Sequence, residues 1–322
     1  MPPVSPGVRL QPDPSPRRLI AIVGPTASGK TALAIALAAR LGVPCEAVNA
    51  DSRQVYRYMD IGTAKPTPEE RAALPHQLID IVYPDEAFGL ATWLDLANEA
   101  LESAWGRGAL PLLVGGTGQY VWALLEGWRV PKVPAQEDLR RQLEQRPPED
   151  LLAELHRVDP ESHEYIQPKN VRRVIRALEV FYATGVPFSH WRAKQPPQFD
   201  WLAIGVTLSR EALYARIDSR VDDMFAAGFV EEVRRLREMG YARDLPPMSS
   251  IGYGEICAHL DGEISLAEAI KRTRTGTHRL ARHQNAWFKR TDARIHWLAP
   301  GDVDAAVRLV GQGPRPGAEA NS

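Results

Sequence analysis

Between Leu19 and Ala38 the chain reads LIAIVGPTASGKTALAIALA, and Gly24–Thr31 within it spell G-x-x-x-x-G-K-T. A β-branched apolar run enters this octapeptide and an alanine-rich run leaves it. The segment therefore predicts a strand, a phosphate-binding loop and a helix in succession. Gly24, Pro25, Thr26, Ala27, Ser28 and Gly29 make the loop. Its glycines let the backbone bend until successive N–H groups face inward, and with the helix N-terminus these form an anion cradle. Lys30 adds a point charge for phosphate oxygens, and the Thr31 hydroxyl is a candidate Mg²⁺ ligand.

The rest of the chain carries the rhythm that such a unit needs. RLIAIVG, PCEAVNA, HQLIDIV, LPLLVGG, WLAIGVTL and RIHWLAP are short apolar runs that predict strands. The first four are spaced for crossover connections. The expected fold is α/β, a P-loop core with a mostly parallel sheet and flanking helices. After Trp128 the rhythm breaks. The chain becomes charged and proline-spotted, with helical patterns in QEDLRRQLEQR, EDLLAELHRV and KNVRRVIRALEVFYATG, before WLAIGVTL returns as a strand. The expected organisation is a disordered extension over 1–17, a first part of the core over 18–128 and an α-helical insertion domain over 129–199. The second part of the core, with C-terminal helices, follows over 200–310, and a disordered tail over 311–322.

A P-loop ordinarily suggests an ATPase or kinase, which completes its Mg²⁺ site with an apolar strand ending in Asp. The strand best placed for this, LPLLVGG, ends in Gly115-Gly116-Thr117-Gly118 instead, and LIDIV runs on past Asp80. Phosphate binding is indicated; phosphoryl transfer is not. Asp51 follows PCEAVNA, at a strand's carboxyl end where ligands collect in parallel sheets. It is either a functional carboxylate, binding metal or taking a proton, or the N-cap of a helical turn. Its neighbours Ser52, Arg53 and Gln54 are polar and able to read hydrogen bonds. Thr117 has the same two readings, ligand contact or N-cap.

Net charge is −1, so a nucleic-acid partner is not signalled by the total. The charge is nonetheless segregated. On a helix at 100° per residue, Lys169, Arg172, Arg173 and Arg176 share one sector, and Val174, Ile175, Leu178, Phe181 and Tyr182 another. In IKRTRTGTHRLARHQNAWFKR, Arg272, Arg279, Arg282, His283 and Arg290 lie opposite Ile270, Leu280, Trp287 and Phe288. Each face is either simply solvated or a phosphate contact for RNA.

In order, GPTASGKT, NADSRQVYRYMDIGTAKP and LLVGGTGQYVWALLEG resemble the tRNA dimethylallyltransferase family of bacterial type, and the likeness continues through NVRRVIRALEV, RVDDMFAAGFVEEV and SSIGYGEI. It covers nearly the whole chain apart from the two ends. The resemblance implies transfer of the dimethylallyl group of dimethylallyl diphosphate to the exocyclic amine of the adenosine just 3′ of the anticodon, with loss of pyrophosphate and help from Mg²⁺. It makes Asp51 the general base, Thr117 an adenosine contact, and Gly24–Thr31 with Arg220 the diphosphate site. It assigns Asp51, Ser52, Arg53, Gln54, Thr117, Arg140, Arg172, Arg173, Val174, Ile175 and Arg176 to tRNA. The family's C-terminal motif is altered here, with His283 for an arginine and Ala286 for a threonine.

The alternatives to set against this are a P-loop nucleoside or small-molecule kinase and a P-loop RNA-binding switch without chemistry. The two cysteines, Cys45 and Cys257, form no C-x-x-C, which fits a reducing compartment. No apolar run approaches the ~20 residues of a membrane span, and the proline-rich start is not expected to be a secretory leader. The expectation is a cytoplasmic monomer with no membrane or obligate protein partner.

Overall fold

The computed structural model describes residues 17–312. All but residues 17, 311 and 312 of the two ends expected to be disordered lie outside the described residues. The strands β1 (Arg18–Val23), β2 (Cys45–Asn49), β3 (His76–Gln77), β4 (Leu110–Gly115), β5 (Asp200–Val206) and β6 (Ile295–Leu298) form one parallel sheet in the order β3-β2-β4-β1-β5-β6. Apolar runs rather than alternating ones build it because both faces are covered. Along β1, Leu19, Ala21 and Val23 face the helices α3 (Leu90–Gly106) and α4 (Gly118–Leu125). Ile20 and Ile22 face α1 (Lys30–Leu41) and α12 (Val303–Gly311). The α2 helix (Pro68–Ala73), opened by a Thr67–Glu70 capping box, feeds β3.

HQLIDIV is a correction. Only His76 and Gln77 pair in the sheet, because Leu78 (φ 63°) and Asp80 (φ 59°) turn left-handed and break the ladder. Asp80 instead accepts from Lys65 Nζ (2.5 Å) and Arg71 Nη1 (3.0 Å), and Asn49 Nδ2 donates to Leu78 O (3.0 Å).

Helices α5 (Glu137–Glu144), α6 (Pro148–Val158) and α7 (Val171–Thr184) pack around Leu143, Leu151, Leu155, Val174, Ile175 and Leu178. The chain leaves and re-enters the core side by side, with Gln195 N donating to Gly127 O (2.8 Å). Inside the helical group, Glu179 is fully buried and accepts from Gln136 N (2.7 Å), Arg140 Nε (2.9 Å) and Arg176. Its carboxyl is held below the usual range by these donors against the opposing effect of burial. Glu179→Ala strands two guanidiniums. It is expected to cost about 3 kcal/mol in urea unfolding, the low end for a broken buried pair because both arginines keep part of their surface in water.

After β5, α8 (Arg210–Ala226) and α9 (Phe229–Glu238) follow one another through Gly228. The α10 (Tyr253–Leu260) and α11 (Leu266–Trp287) helices then lead to β6, with α11 packed along α8.

Candidate active site

Three turns at the carboxyl edge of the sheet meet backbone to backbone. A Cβ on Gly115 would fall 2.2 Å from Ala50 O, and one on Gly116 would fall 3.1 Å from Gly24 O. The Gly116-Thr117 turn after β4 thus lies directly against the Asp51 turn after β2 on one side and the phosphate loop after β1 on the other. This follows from the strand order, since β4 lies between β1 and β2.

The loop has the cradle form. Gly24 (φ 143°), Ala27 (φ 62°) and Gly29 (φ 97°) take the left-handed or extended-positive backbone that turns amides inward. Lys30 Nζ donates to Pro25 O (2.8 Å) and stays over the loop. Ser28 is buried, and its hydroxyl has no hydrogen-bond partner within the described residues. Burial pushes the Lys30 ammonium down to about 8; the Asp51 carboxylate pulls it up and the Arg220 cation pushes it further down.

Arg216 and Arg220, one turn apart on α8, complete the positive side. A Cβ on Gly29 would lie 3.9 Å from both Nη1 and Nη2 of Arg216. Burial, and then Arg216, lower the pKa of Arg220. Neither arginine makes an ion pair among the described residues. A pair of neighbouring cations held against a lysine without a carboxylate partner is an arrangement suited to an anion of high charge. Arg220 thus lies near Lys30 of the phosphate loop, with Arg216 as a second arginine beside it.

Asp51 does not start a helix. Its Oδ1 accepts from Arg53 N (2.8 Å), its own N donates to Asn49 Oδ1 (3.0 Å), and the chain continues as turns. Asn49 is locked in turn by Trp93, whose Nε1 donates to Asn49 O (3.0 Å). One carboxylate oxygen of Asp51 fixes the turn, and among the described residues Oδ2 accepts no hydrogen bond. Thr117 stands at the N-cap position of α4 yet makes no cap hydrogen bond; its Oγ1 accepts from Ser52 N (3.0 Å). Asp51 is kept from a cap by a bond within its own turn, and the Thr117 hydroxyl by one from the neighbouring turn. Gln54 Nε2 donates to Thr63 O (3.2 Å) and Ala64 O (3.0 Å), which leaves its Oε1 as the outward acceptor. Arg53 is half-buried. Tyr56, Tyr120 and Trp122 are core residues, with Tyr120 stacked on Trp93 at 4.5 Å.

Gln284 on α11 was not singled out by its sequence. It is buried, and its Oε1 accepts from Thr26 N (2.7 Å) while its Nε2 lies against Gly116. One side chain thus braces the phosphate loop against the Thr117 turn.

The basic faces need correction. Val174 and Ile175 are 1% and 4% exposed and belong to the helical core, so their side chains cannot meet RNA. Arg140 and Arg176 are held by Glu179, and Arg176 Nη2 also donates to Val133 O (2.9 Å). On this stretch Arg172 and Arg173 are the arginines left exposed. On α11, Arg279 and His283 are exposed, but Arg272 pairs with Glu268 (2.8 Å) and Arg282 Nη1 donates to Tyr214 Oη (3.0 Å). Arg290 lies beyond the helix and donates to Thr207 Oγ1 and Leu208 O. Leu280 and Trp287, expected on the apolar side, are 39% and 36% exposed.

Comparison with known proteins gives a consistent picture. The family model described as IPP transferase matches residues 54–291, and one described as isopentenyl transferase matches 17–79. A tRNA dimethylallyltransferase of Roseiflexus sp. (strain RS-1) is 55% identical over 276 residues, covering 84% of this chain and 90% of the relative. Among solved structures, the full-length tRNA isopentenylpyrophosphate transferase of Bacillus halodurans is 41% identical, covering 92% of this chain and 94% of its own, with a TM-score of 0.66. A eukaryotic dimethylallyltransferase described as acting on tRNA is 28% identical, covering 92% of this chain and 77% of its own, with a TM-score of 0.76.

Proposed function

We propose, since the chain belongs to the IPP transferase family, that it is a tRNA dimethylallyltransferase: it moves the dimethylallyl group of dimethylallyl diphosphate to N6 of the adenosine 3′ to the anticodon and releases pyrophosphate. The observation that supports this reading is the contact of the three turns, which brings an anion cradle, a carboxylate and a threonine onto neighbouring strand ends. The lone pair of an adenine amine is delocalised into its ring. Asp51 Oδ2, within reach of that amine, orients it and accepts its proton as the N–C bond forms. The C–O bond at the allylic carbon breaks, and the charge that develops goes to the diphosphate.

The loop amides, Lys30, Arg216 and Arg220 stabilise that charge where it appears. No P–O bond is broken, and in place of an Asp at the end of β4 stand Gly115-Gly116, which leave room for the turns to touch. Thr117 belongs at the adenosine, with Ser52, Arg53 and the free Oε1 of Gln54 beside it. Taking a loop base to such a recess requires that it leave its stack.

Mg²⁺ fits this site as an ion carried mainly by the substrate. The described residues contain no cluster of three or more acidic, histidine or cysteine ligands, and Mg²⁺ typically takes one or two protein groups with phosphate oxygens and water. The Thr31 hydroxyl and the orphan Ser28 hydroxyl are two of the loop's polar groups for it or for phosphate. When bound, it supplies neutralisation of the leaving group's charge.

The anticodon stem-loop is the part of tRNA that this reading requires. Exposed Arg172, Arg173 and Arg279 are the backbone contacts it assigns. Among the described residues no helix is long and apolar enough to cross a membrane. A tRNA substrate is what leads this reading to the cytoplasm.

Incubation with labelled dimethylallyl diphosphate and an anticodon stem-loop tests the proposal. Prenylated adenosine is expected after digestion, and none when that adenosine is replaced by guanosine. Absence of prenylated nucleoside from both RNAs contradicts it.

The lowered Lys30 pKa gives a pH signature. Below about 8 the ammonium is charged and holds the diphosphate; above it the free enzyme loses that charge. kcat/KM for the donor reports free-enzyme ionisations. It is expected to fall as pH rises through about 8, with little change in RNA affinity over the same range.

A further inference from the structure

We propose that Glu232 is a positioning residue that sets the adenosine-reading turn relative to the diphosphate site without touching either substrate; this rests on the transferase reading above. Glu232 lies on α9 and is 2% exposed. Its Oε2 accepts from Asp60 N (2.9 Å) and Ile61 N (2.7 Å). Its Oε1 accepts from Gly62 N (3.2 Å) and Tyr253 Oη (2.7 Å). No lysine or arginine pairs with it among the described residues. A buried carboxylate without a cation persists only where hydrogen bonds replace its water, and three consecutive backbone amides aimed at one point are an anion nest made by the chain itself.

The clasped residues sit on the return of the Asp51 loop. Directly after Gly62, the carbonyls of Thr63 and Ala64 receive Gln54 Nε2. Lys65 Nζ closes the loop on Tyr56 O (2.5 Å) and on Asp60 and Asp80. The place of Gln54, and with it of Arg53 and Asp51, is set by where residues 60–64 stand. Those residues stand where Glu232 holds them. The same carboxylate belongs to α9, which follows directly from α8 and its Arg216 and Arg220. One side chain therefore joins the half of the site that reads adenosine to the half that faces diphosphate. Shifts near one ångström in such an arrangement are enough to cost two orders of magnitude in rate.

Glu232→Gln keeps the shape but turns an NH₂ group against backbone donors. In steady-state transfer assays, kcat/KM for the anticodon stem-loop is expected to fall on the order of 10- to 100-fold, while KM for dimethylallyl diphosphate stays within about 2-fold. Glu232→Asp, which restores the charge one methylene short, should recover part of the RNA term. If Glu232→Gln does not accumulate as folded protein, the Asp variant alone must show the same split in smaller measure. Tyr253→Phe leaves the amide clasp intact and is expected to stay within about 3-fold of wild type for RNA.

A rise in KM for dimethylallyl diphosphate as large as the loss in kcat/KM for the stem-loop, or wild-type values for both with the Gln variant, overturns the proposal. So does a Tyr253→Phe loss as large as that of Glu232→Gln. Failure of the wild-type protein to prenylate RNA is a different result and overturns the transferase reading itself.

Discussion

Asp51→Asn is expected to slow the transfer step by about 10²- to 10⁴-fold, the range of a positioned general base. The substitution is chosen because the local turn survives it. Oδ1 of an asparagine still accepts from Arg53 N, as Asp51 Oδ1 does at 2.8 Å, and asparagine is at home in such turns. The other oxygen becomes an NH₂ that cannot take a proton from the adenine amine. Stem-loop affinity and the thermal midpoint should stay at wild-type values. Rapid-quench single-turnover assays with saturating donor isolate the step, free of product release. A rate within about 10-fold of wild type would mean that another group, or water, accepts the proton.

Lys30→Met is expected to lower kcat/KM for dimethylallyl diphosphate by about 10²- to 10³-fold, the cost of removing one preorganised group from a developing anion. The site makes a second, opposite demand on the same substitution. An ammonium buried beside Arg220 opposes folding in the absence of ligand, and burial is the largest cause of its lowered pKa. The thermal midpoint of the substrate-free variant should therefore hold or rise. Loss of activity together with unchanged or greater stability is the trade expected of a functional charge. Stem-loop binding measured without donor should not change. Loss of RNA affinity in this variant would place the lysine on the wrong substrate.

The sheet is legible in the sequence for a simple reason. Strands buried on both faces are written as unbroken apolar runs, and Leu19–Val23 is nearly free of water. The HQLIDIV segment mixes His76, Gln77 and Asp80 with its apolar residues, and its left-handed Leu78 and Asp80 answer to Asn49, Lys65 and Arg71, which local pattern does not carry. The α7 periodicity places Val174 and Ile175 with the core correctly. Within the stretch 172–176, burial takes only the Val174 and Ile175 side chains away from RNA.

The turn residues divide in the same way. Asp51 and Thr117 are visible as polar residues at strand ends. That neither side chain caps a helix depends on Arg53 N meeting Asp51 Oδ1 within its turn and on Ser52 N meeting Thr117 Oγ1 from the next turn. Gln284 and Glu232 have no local signal at all. Each accepts backbone N–H groups far away in the chain, Thr26 for one and Asp60 to Gly62 for the other. A backbone donor has no side-chain identity to be read.

What sets this use of a phosphate loop apart is the bond that breaks. The most direct test uses dimethylallyl diphosphate labelled in both the prenyl carbon and the terminal phosphorus, with a stem-loop acceptor. The account predicts that all carbon label transferred to RNA appears on adenosine while the phosphorus label is recovered as pyrophosphate. Phosphorus label on the RNA or its nucleosides, or release of the label as monophosphate in step with turnover, would contradict it.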